Sequence, residues 1–225
     1  MVVGNGLIAS GFEKYKDNNN VLIFAAGVSN SLETDNKIFY REEHLLTRTI
    51  KLNWDKTFVY FSSNSYYSNS SKKSYFMHKL EMEDIVNRNC GKRIIMKLPQ
   101  VIGHKGNPNT LFNFIHKKLI NDEEIPVYEN SHRSLIDIDD LEKIIREIIN
   151  LEIYGTFTIN GIEVLEIEEI VRIMAGELNI IPKIKLIPTD HSPKEDNSYI
   201  INSMLNKLNI NKKDYTKNLI KKYIL

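Results

Sequence analysis

This chain of 225 residues has little cysteine or tryptophan and almost no net charge. It has one cysteine, Cys90, and one tryptophan, and 30 basic residues nearly cancel 29 acidic ones, which leaves a formal net charge of +1. A single cysteine excludes an internal disulfide and a cysteine-based zinc site, and it favours a reducing compartment. A chain so close to neutrality has no basic field to bind nucleic acid or an anionic membrane.

Long apolar runs are also missing. No stretch approaches the roughly 18 residues that a membrane span needs, and the start, MVVGNGLIAS, lacks the basic lead and apolar core of a signal peptide. We therefore expect a cytoplasmic protein with no membrane partner. Apolar residues make up 42% and charged residues 26% of the chain, which is typical of a folded domain with one substantial core.

Short apolar runs alternate with segments of helical period. This pattern predicts an α/β fold, in which repeated βα units surround a parallel sheet. Strands are predicted at residues 1–3, 21–25, 57–61, 93–98, 127–128 and 156–159, and helices at residues 7–15, 40–52, 75–89, 111–120, 138–150 and 167–178.

A glycine-rich turn lies between the first predicted strand and helix. Residues 4–9, GNGLIA, form a G-x-G-x-x-A pattern, and its missing Cβ atoms let a pyrophosphate approach backbone N–H groups. An ordinary tight turn uses the same glycines, so the pattern gains meaning only from its surroundings.

Tyr75 and Lys79 form a Y-x-x-x-K pattern on one face of a predicted helix. A cation beside a phenol stabilises the phenolate, which lowers a tyrosine pKa from about 10 and allows proton exchange near neutrality. With 11 tyrosines in the chain, about one such match is expected by chance. Further support comes from Ser62 and Ser63, which follow a buried strand at the edge where α/β sheets keep their ligand sites.

The glycine-rich turn, the Ser-Ser strand end and the Y-x-x-x-K helix, in this order, resemble the extended short-chain dehydrogenase/reductase family of the NAD-dependent epimerase/dehydratase type. The segments IIMKLPQVIG at residues 94–103 and RSLIDIDD at residues 133–140 resemble further parts of that family. The resemblance covers essentially the whole chain, which is similar to the dTDP-4-dehydrorhamnose reductases of that family.

The resemblance implies a Rossmann-like, doubly wound parallel sheet. Residues 1–160 would form the dinucleotide-binding domain, with residues 104–130 contributing to the substrate side, and residues 161–225 a small substrate-binding α/β region. Ser63, Tyr75 and Lys79 would be catalytic. The residues expected to bind NAD or NADP are Gly4, Gly6, Leu7, Ile8, Ala25, Ala26, Gly27, Tyr75, Lys79 and Leu98, and those expected to bind a nucleotide-sugar substrate are Ser63, Asn64, Gln100, Asn109 and Arg133.

Two alternatives concern single side chains. Arg133 either clamps the substrate diphosphate or pairs with Asp137 or Asp139 at a helix start. His78 and His104 lack a second ligand at metal spacing, so no metal site is expected.

The chain departs from the family in two places. Only residues 17–20 separate the first helix from the strand at 21–25, where the family has another strand, helix and strand. The sheet should therefore lack its usual second and third strands. Their loss removes the residue that distinguishes NAD from NADP. It also leaves a sheet edge that a homodimer partner could cover. Asn64 and Ser65 stand where 4,6-dehydratases of the family place an Asp-Glu pair, which disfavours elimination.

The leading hypothesis is reduction of a nucleotide-linked 4-keto-6-deoxy sugar for surface polysaccharide synthesis. One alternative is a nucleotide-sugar epimerase that retains NAD. A second alternative is a non-catalytic nucleotide-binding or scaffolding protein, because the cofactor region is short. A third is a truncated subunit that needs a companion chain. The pathway rests on family analogy alone.

Overall fold

A computed structural model describes residues 1–64, 73–104, 110–188, 197–210 and 213–224. The strands in these ranges are β1 (Val2–Val3), β2 (Val21–Phe24), β3 (Thr57–Ser63), β4 (Arg93–Leu98), β5 (Gln100–Ile102), β6 (Ile125–Tyr128), β7 (His132–Asp137), β8 (Gly155–Thr158), β9 (Val164–Glu166) and β10 (Ile184–Ile187). The α-helices are α1 (Leu7–Gly11), α2 (Asn36–Leu52), α3 (Lys73–Asn89), α4 (Leu111–Ile120), α5 (Ile138–Asn150), α6 (Ile167–Glu177), α7 (Tyr199–Lys207) and α8 (Tyr215–Tyr223).

The main sheet has the order β1-β2-β3-β4-β8, and every neighbouring pair is parallel. Its central strands are buried on both faces, because helices cover both. Leu22 and Phe58 pack in one cluster with residues of α2 and α3, whereas Ile23 and Val59 pack in the other with residues of α5. This arrangement confirms the expected Rossmann-like α/β fold.

The β1 edge shows how the shortened region closes. Val2 pairs with Ile23 and Val3 with Phe24, so β1 lies directly beside β2, and the described residues place no strand beyond it. The side-chain oxygen of Asn18 accepts hydrogen bonds from the backbone N–H groups of Asn20 and Val21 at 2.9 Å each. A single side chain thus stabilises the turn that replaces the missing strands.

Several element bounds agree with the sequence predictions. The bounds of β4, α4 and α5 match them. Helix α2 begins at Asn36, earlier than residue 40, because the Asp35 side chain caps it by accepting from the N–H of Lys37. The predicted helix over 7–15 is wrong in its second half, since α1 ends at Gly11 and a separate 3-10 turn, Glu13–Tyr15, follows it.

Two small sheets complete the fold beyond the main sheet. One has the order β5-β7-β9, with β9 antiparallel to β7, and the other pairs β6 with β10. One hydrophobic core joins Ile144, Phe157, Ile170 and Leu219, so it extends on both sides of residue 160. Two domains with a boundary at that residue stay a prediction. None of the described helices is long and apolar enough to cross a membrane.

Candidate functional site

The three proposed catalytic residues meet at the carboxyl edge of the main sheet. Ser63 is the last residue of β3 and pairs with Leu98, the last residue of β4. Tyr75 and Lys79 lie one turn apart on α3, and both are buried. The Ser63 side chain is hydrogen-bonded to Tyr75, and the Lys79 Nζ lies 5.8 Å from the centre of the Tyr75 ring. The structure therefore brings a hydroxyl, a phenol and an ammonium together.

A buried carboxylate that the sequence analysis did not identify, Glu42 of α2, lies beneath these residues. The Lys79 ammonium donates to its Oε1 at 2.9 Å and its Oε2 at 3.2 Å. The Tyr60 hydroxyl donates to Oε1 at 2.8 Å, and the Val28 N–H donates to Oε2 at 2.6 Å. The His78 Nε2 is 3.0 Å from Oε2 and must donate, because an ionised carboxylate only accepts.

These contacts keep Glu42 ionised although it is fully buried. Burial by itself raises a carboxyl pKa, but the charge of Lys79 and the hydrogen bonds from His78, Val28 and Lys79 lower the pKa of Glu42 to about 2. A signal for this residue exists in the sequence. Glu42 stands four residues before Leu46 and eight before Ile50, so it occupies the buried stripe of α2 where an apolar residue is usual.

The pKa of Tyr75 corrects one sequence-based expectation. Lys79 was expected to lower it, and its charge does act in that direction, as does the hydrogen bond with Ser63. Burial is the larger effect, however, and the charge of Glu42 adds to it, so the pKa of Tyr75 is raised. The Tyr75 phenol therefore stays protonated near neutral pH.

A second buried carboxylate, Glu83 of α3, serves a different part of the structure. The Ser62 hydroxyl donates to its Oε1 at 2.6 Å, and the Lys97 ammonium lies 3.1 Å from its Oε2. Neighbouring serines thus have separate partners: Ser62 bonds to Glu83, and Ser63 bonds to Tyr75.

The glycines of the predicted cofactor turn differ in their surroundings. Gly4 has a φ of +129°, and a Cβ there would lie 2.4 Å from the carbonyl oxygen of Ala25. Only glycine fits this conformation and this close approach. Gly6 precedes α1 and is exposed, and a Cβ there would meet no described heavy atom within 4 Å. Open space therefore lies beside the first turn of α1.

The loop after β2 lies against the ion pair. Ala25 joins the sheet through its N–H, which donates to the Val3 carbonyl at 2.7 Å, and Ala26 packs beside the α2 and α3 cluster. A Cβ on Gly27 would lie 2.7 Å from the Lys79 Nζ and 2.9 Å from the Glu42 Oε1. Glycine at this position lets the loop approach both charged groups.

The other predicted cofactor residues are apolar and pack against the core. Leu7 and Ile8 are half-buried on α1, and Leu98 is buried at the end of β4. A Cβ on Gly103 would lie 2.5 Å from Leu7 Cδ1, so the chain after β5 packs closely on α1. Their contacts with a dinucleotide stay a prediction.

The predicted substrate residues have distinct environments. The Asn64 side-chain amide donates to the Ile159 carbonyl at 2.7 Å and to the Asn160 side-chain oxygen at 3.1 Å, which joins β3 to the loop after β8. Gln100 Nε2 is buried, and the described residues offer it no hydrogen-bond partner. Asn109 lies outside the described residues.

Arg133 is exposed on β7. It stands two residues before Leu135, which pairs with Gln100 where β7 lies beside β5. Its guanidinium donates to the carbonyl of His132 at 2.7 Å. Asp137 and Asp139, the alternative partners of Arg133, contact Lys222 of α8 at 2.8 and 2.6 Å. The role of Arg133 toward a diphosphate stays a prediction.

No group of three or more His, Cys, Asp or Glu side chains is arranged to hold a metal ion in the part of the chain that the structure describes. His78, weighed as a metal ligand from the sequence, instead bonds to Glu42 and stacks on Phe39 with ring centres 4.6 Å apart.

Known structures share this fold. No protein-family model matches the chain, and a search of curated proteins finds no match. A UDP-glucuronic acid 4-epimerase from Bacillus cereus, in complex with UDP-glucuronic acid and NAD, aligns with a TM-score of 0.70 and 16% identity over 94% of this chain and 77% of its own.

Two further solved structures extend the comparison. A dTDP-4-dehydrorhamnose reductase from Clostridium acetobutylicum aligns with a TM-score of 0.64 and 18% identity, over 96% of this chain and 84% of its own. A dTDP-glucose 4,6-dehydratase from Bacillus anthracis, in complex with NAD, aligns with a TM-score of 0.68 and 13% identity, over 98% of this chain and 77% of its own. The chain therefore has the Rossmann-like fold of these enzymes.

Proposed function

We propose that this chain is an NAD- or NADP-dependent enzyme that reduces the keto group of a nucleotide-linked 4-keto-6-deoxy sugar. The observation that carries the proposal is the meeting of Ser63, Tyr75 and Lys79 at the carboxyl edge of a parallel sheet, where such folds bind their ligands. The shared fold with nucleotide-sugar epimerases, a dehydratase and a reductase supports the substrate class.

The residues around Gly27 fit the nicotinamide end of a dinucleotide. The loop of Ala25, Ala26 and Gly27 follows β2 and lies directly against Lys79. When bound, the reduced dinucleotide supplies a hydride to the keto carbon. The chain would hold its phosphates beside the open turn at Gly4 and Gly6.

Tyr75 would complete the reduction with a proton. With a hydride supplied to the carbonyl carbon, the Tyr75 phenolic proton would pass to the carbonyl oxygen, so that C=O would become CH–OH. Ser63, which bonds to Tyr75, would hold that oxygen, and Lys79 would stabilise the phenolate left behind. Because the pKa of Tyr75 is raised, the phenol stays protonated before each turnover.

Gln100 supplies the clearest sign of a substrate contact. A buried amide donor that has no partner among the described residues costs free energy of about 1–3 kcal/mol, which an acceptor on a ligand would recover. Gln100 follows β4 closely, and β4 ends beside Ser63. We assign Gln100 to a substrate oxygen and Arg133 to the diphosphate.

The adenosine end of a dinucleotide fits less well. The strand beyond β1, whose end would meet the adenosine ribose, has no counterpart in the described residues. Weaker dinucleotide binding and little discrimination between NAD and NADP are expected.

Calorimetric titration with NAD, NADH, NADP and NADPH tests the proposal first. Binding of at least one is expected, and failure of all four would contradict it. The second test adds a 4-keto-6-deoxy sugar nucleotide and the reduced dinucleotide. Stoichiometric oxidation of the dinucleotide supports reduction, whereas an inverted sugar without net oxidation assigns the chain as an epimerase.

A further inference from the structure

The three hydrogens of the Lys79 ammonium already have acceptors inside the protein. Nζ lies 2.9 Å from Glu42 Oε1, 3.2 Å from Glu42 Oε2 and 3.3 Å from the Tyr60 hydroxyl. An ammonium has three donors, so these contacts account for its full hydrogen-bonding capacity. Lys79 is therefore held as half of a buried ion pair.

Glu42 is held as firmly as Lys79. Besides Lys79, it accepts hydrogen bonds from Val28 in the loop after β2, from Tyr60 on β3 and from His78 on α3. These donors come from three separate parts of the fold, and the carboxylate is fully buried. Rotating the Glu42 carboxylate would leave several buried donors without an acceptor, so the negative charge is held in one position.

Several titratable or charged groups face Tyr75. Lys79 stands on the same helix as Tyr75, Glu42 comes from α2, and Tyr60 comes from β3. The positive charge of Lys79 favours the phenolate, and the negative charge of Glu42 opposes it. Glu42 thus offsets part of the effect that Lys79 alone would have.

We infer that Glu42 is a positioning residue that acts through Lys79 to keep Tyr75 in its protonated form, the form that reduction of a keto sugar requires. The inference rests on the proposed function and adds a residue to its proton-transfer group. In the reduction, the Tyr75 phenol would give its proton to the carbonyl oxygen, and this proton would balance the hydride that a bound reduced dinucleotide would supply to the carbon. The reverse step needs a Tyr75 phenolate to take the alcohol proton.

The loop after β2 lies directly against the ion pair. Because a Cβ on Gly27 would lie within 3 Å of both Lys79 Nζ and Glu42 Oε1, the loop and the pair share one small space. The loop therefore restricts the positions that the two charged groups can take.

The test measures the titration of Tyr75 in the protein without any ligand. Tyrosines labelled with carbon-13 at Cζ are followed by NMR against pH, and Tyr75→Phe assigns the resonance. Glu42→Gln removes the opposing charge, so the Tyr75 titration should move down by about one pH unit or more. Glu83→Gln is the matched control, because this buried carboxylate bonds to Ser62 and Lys97 instead, and it should leave the titration in place.

Equal titrations in the wild type and Glu42→Gln, or an equal shift in Glu83→Gln, would overturn the inference. If Glu42→Gln does not fold, the wild type decides alone. A Tyr75 midpoint above the ordinary tyrosine value of about 10 supports the inference, and a lower midpoint contradicts it.

The failure of this inference differs from that of the proposed function. The Tyr75 titration can move as expected in a protein that binds none of the four dinucleotides. That result would support the effect of Glu42 on Tyr75 and contradict the proposed enzymatic function. Where both hold, the alkaline limb of the pH profile for reduction should move to lower pH in Glu42→Gln, by the same amount as the Tyr75 resonance.

Discussion

Two regions at the carboxyl edge of the main sheet differ in how firmly their polar groups are held. Around Tyr75, the side chains of Tyr60, Lys79 and Glu42 are buried and joined by hydrogen bonds. Around the turn at Gly4 and Gly6, the polar groups are backbone atoms at the start of α1, a helix of five residues. The first region is built into the core, and the second is open.

The difference follows from position in the sheet. Strands β3 and β4 lie inside the order β1-β2-β3-β4-β8, and residues from both faces pack against them. The described residues place no strand beyond β1, at the far edge. The centre of the sheet is packed without such strands, so the proposed proton-transfer group can persist where the proposed dinucleotide site is reduced.

The largest expected effect tests the proton donor of the buried region. Tyr75→Phe keeps the ring but removes the hydroxyl, so kcat for keto-sugar reduction should fall by about 10²- to 10⁴-fold. Dinucleotide affinity by calorimetry should change little, because the contact removed is to the reacting oxygen. Full activity in Tyr75→Phe would exclude Tyr75 as the donor.

The second prediction breaks the buried ion pair. Lys79→Met leaves Glu42 without its cation, and it should lower the free energy of unfolding by about 3–5 kcal/mol. Urea denaturation measures the loss. Arg88→Ala, which removes the exposed pair of Arg88 with Asp84 on the same helix, is the control and should leave the midpoint unchanged. A smaller loss is expected when Lys79→Met is combined with Glu42→Gln, since no buried charge is then unpaired.

The third prediction concerns stability in acid. The pKa of Glu42 is lowered from 4.5 to about 2 in the folded chain, so its ionised form stabilises the fold fully above pH 4.5. That contribution, about 3 kcal/mol from the size of the shift, is lost as the pH falls from 4.5 toward 2. Denaturant titrations across this range should show a shallower loss in Glu42→Gln than in the wild type. Parallel losses in the two proteins would assign acid sensitivity to other carboxyls.

The smallest effects compare the two glycines of the open region. Gly4→Ala should destabilise the fold by about 1–3 kcal/mol, because the Gly4 φ is +129° and the new Cβ would clash with the Ala25 carbonyl oxygen. Gly6→Ala should leave the unfolding midpoint in place but weaken dinucleotide binding by about tenfold, or roughly 1.4 kcal/mol. If Gly6→Ala binds as the wild type does, the phosphates do not approach this turn.

Much of the central fold could be predicted from the sequence. The apolar strand at Arg93–Leu98 and the amphipathic helix at Ile138–Asn150 have strong local patterns, and their bounds were predicted correctly. Short strands such as β7 and β9 were not predicted. They form because residues distant in the chain pair with them, as Arg133 does with Leu165, and a local pattern does not report such pairing.

The sequence by itself determined the order of βα units and the residue types at the candidate site, because hydrophobic period and strand-end hydroxyls are local features. Only the tertiary structure decided which charges meet. Glu42 and Lys79 are 37 residues apart, and the carboxylate is ionised because four donors, from α3, β3 and the loop after β2, converge on it in the core. That convergence, together with burial of the phenol, sets the direction in which the pKa of Tyr75 moves.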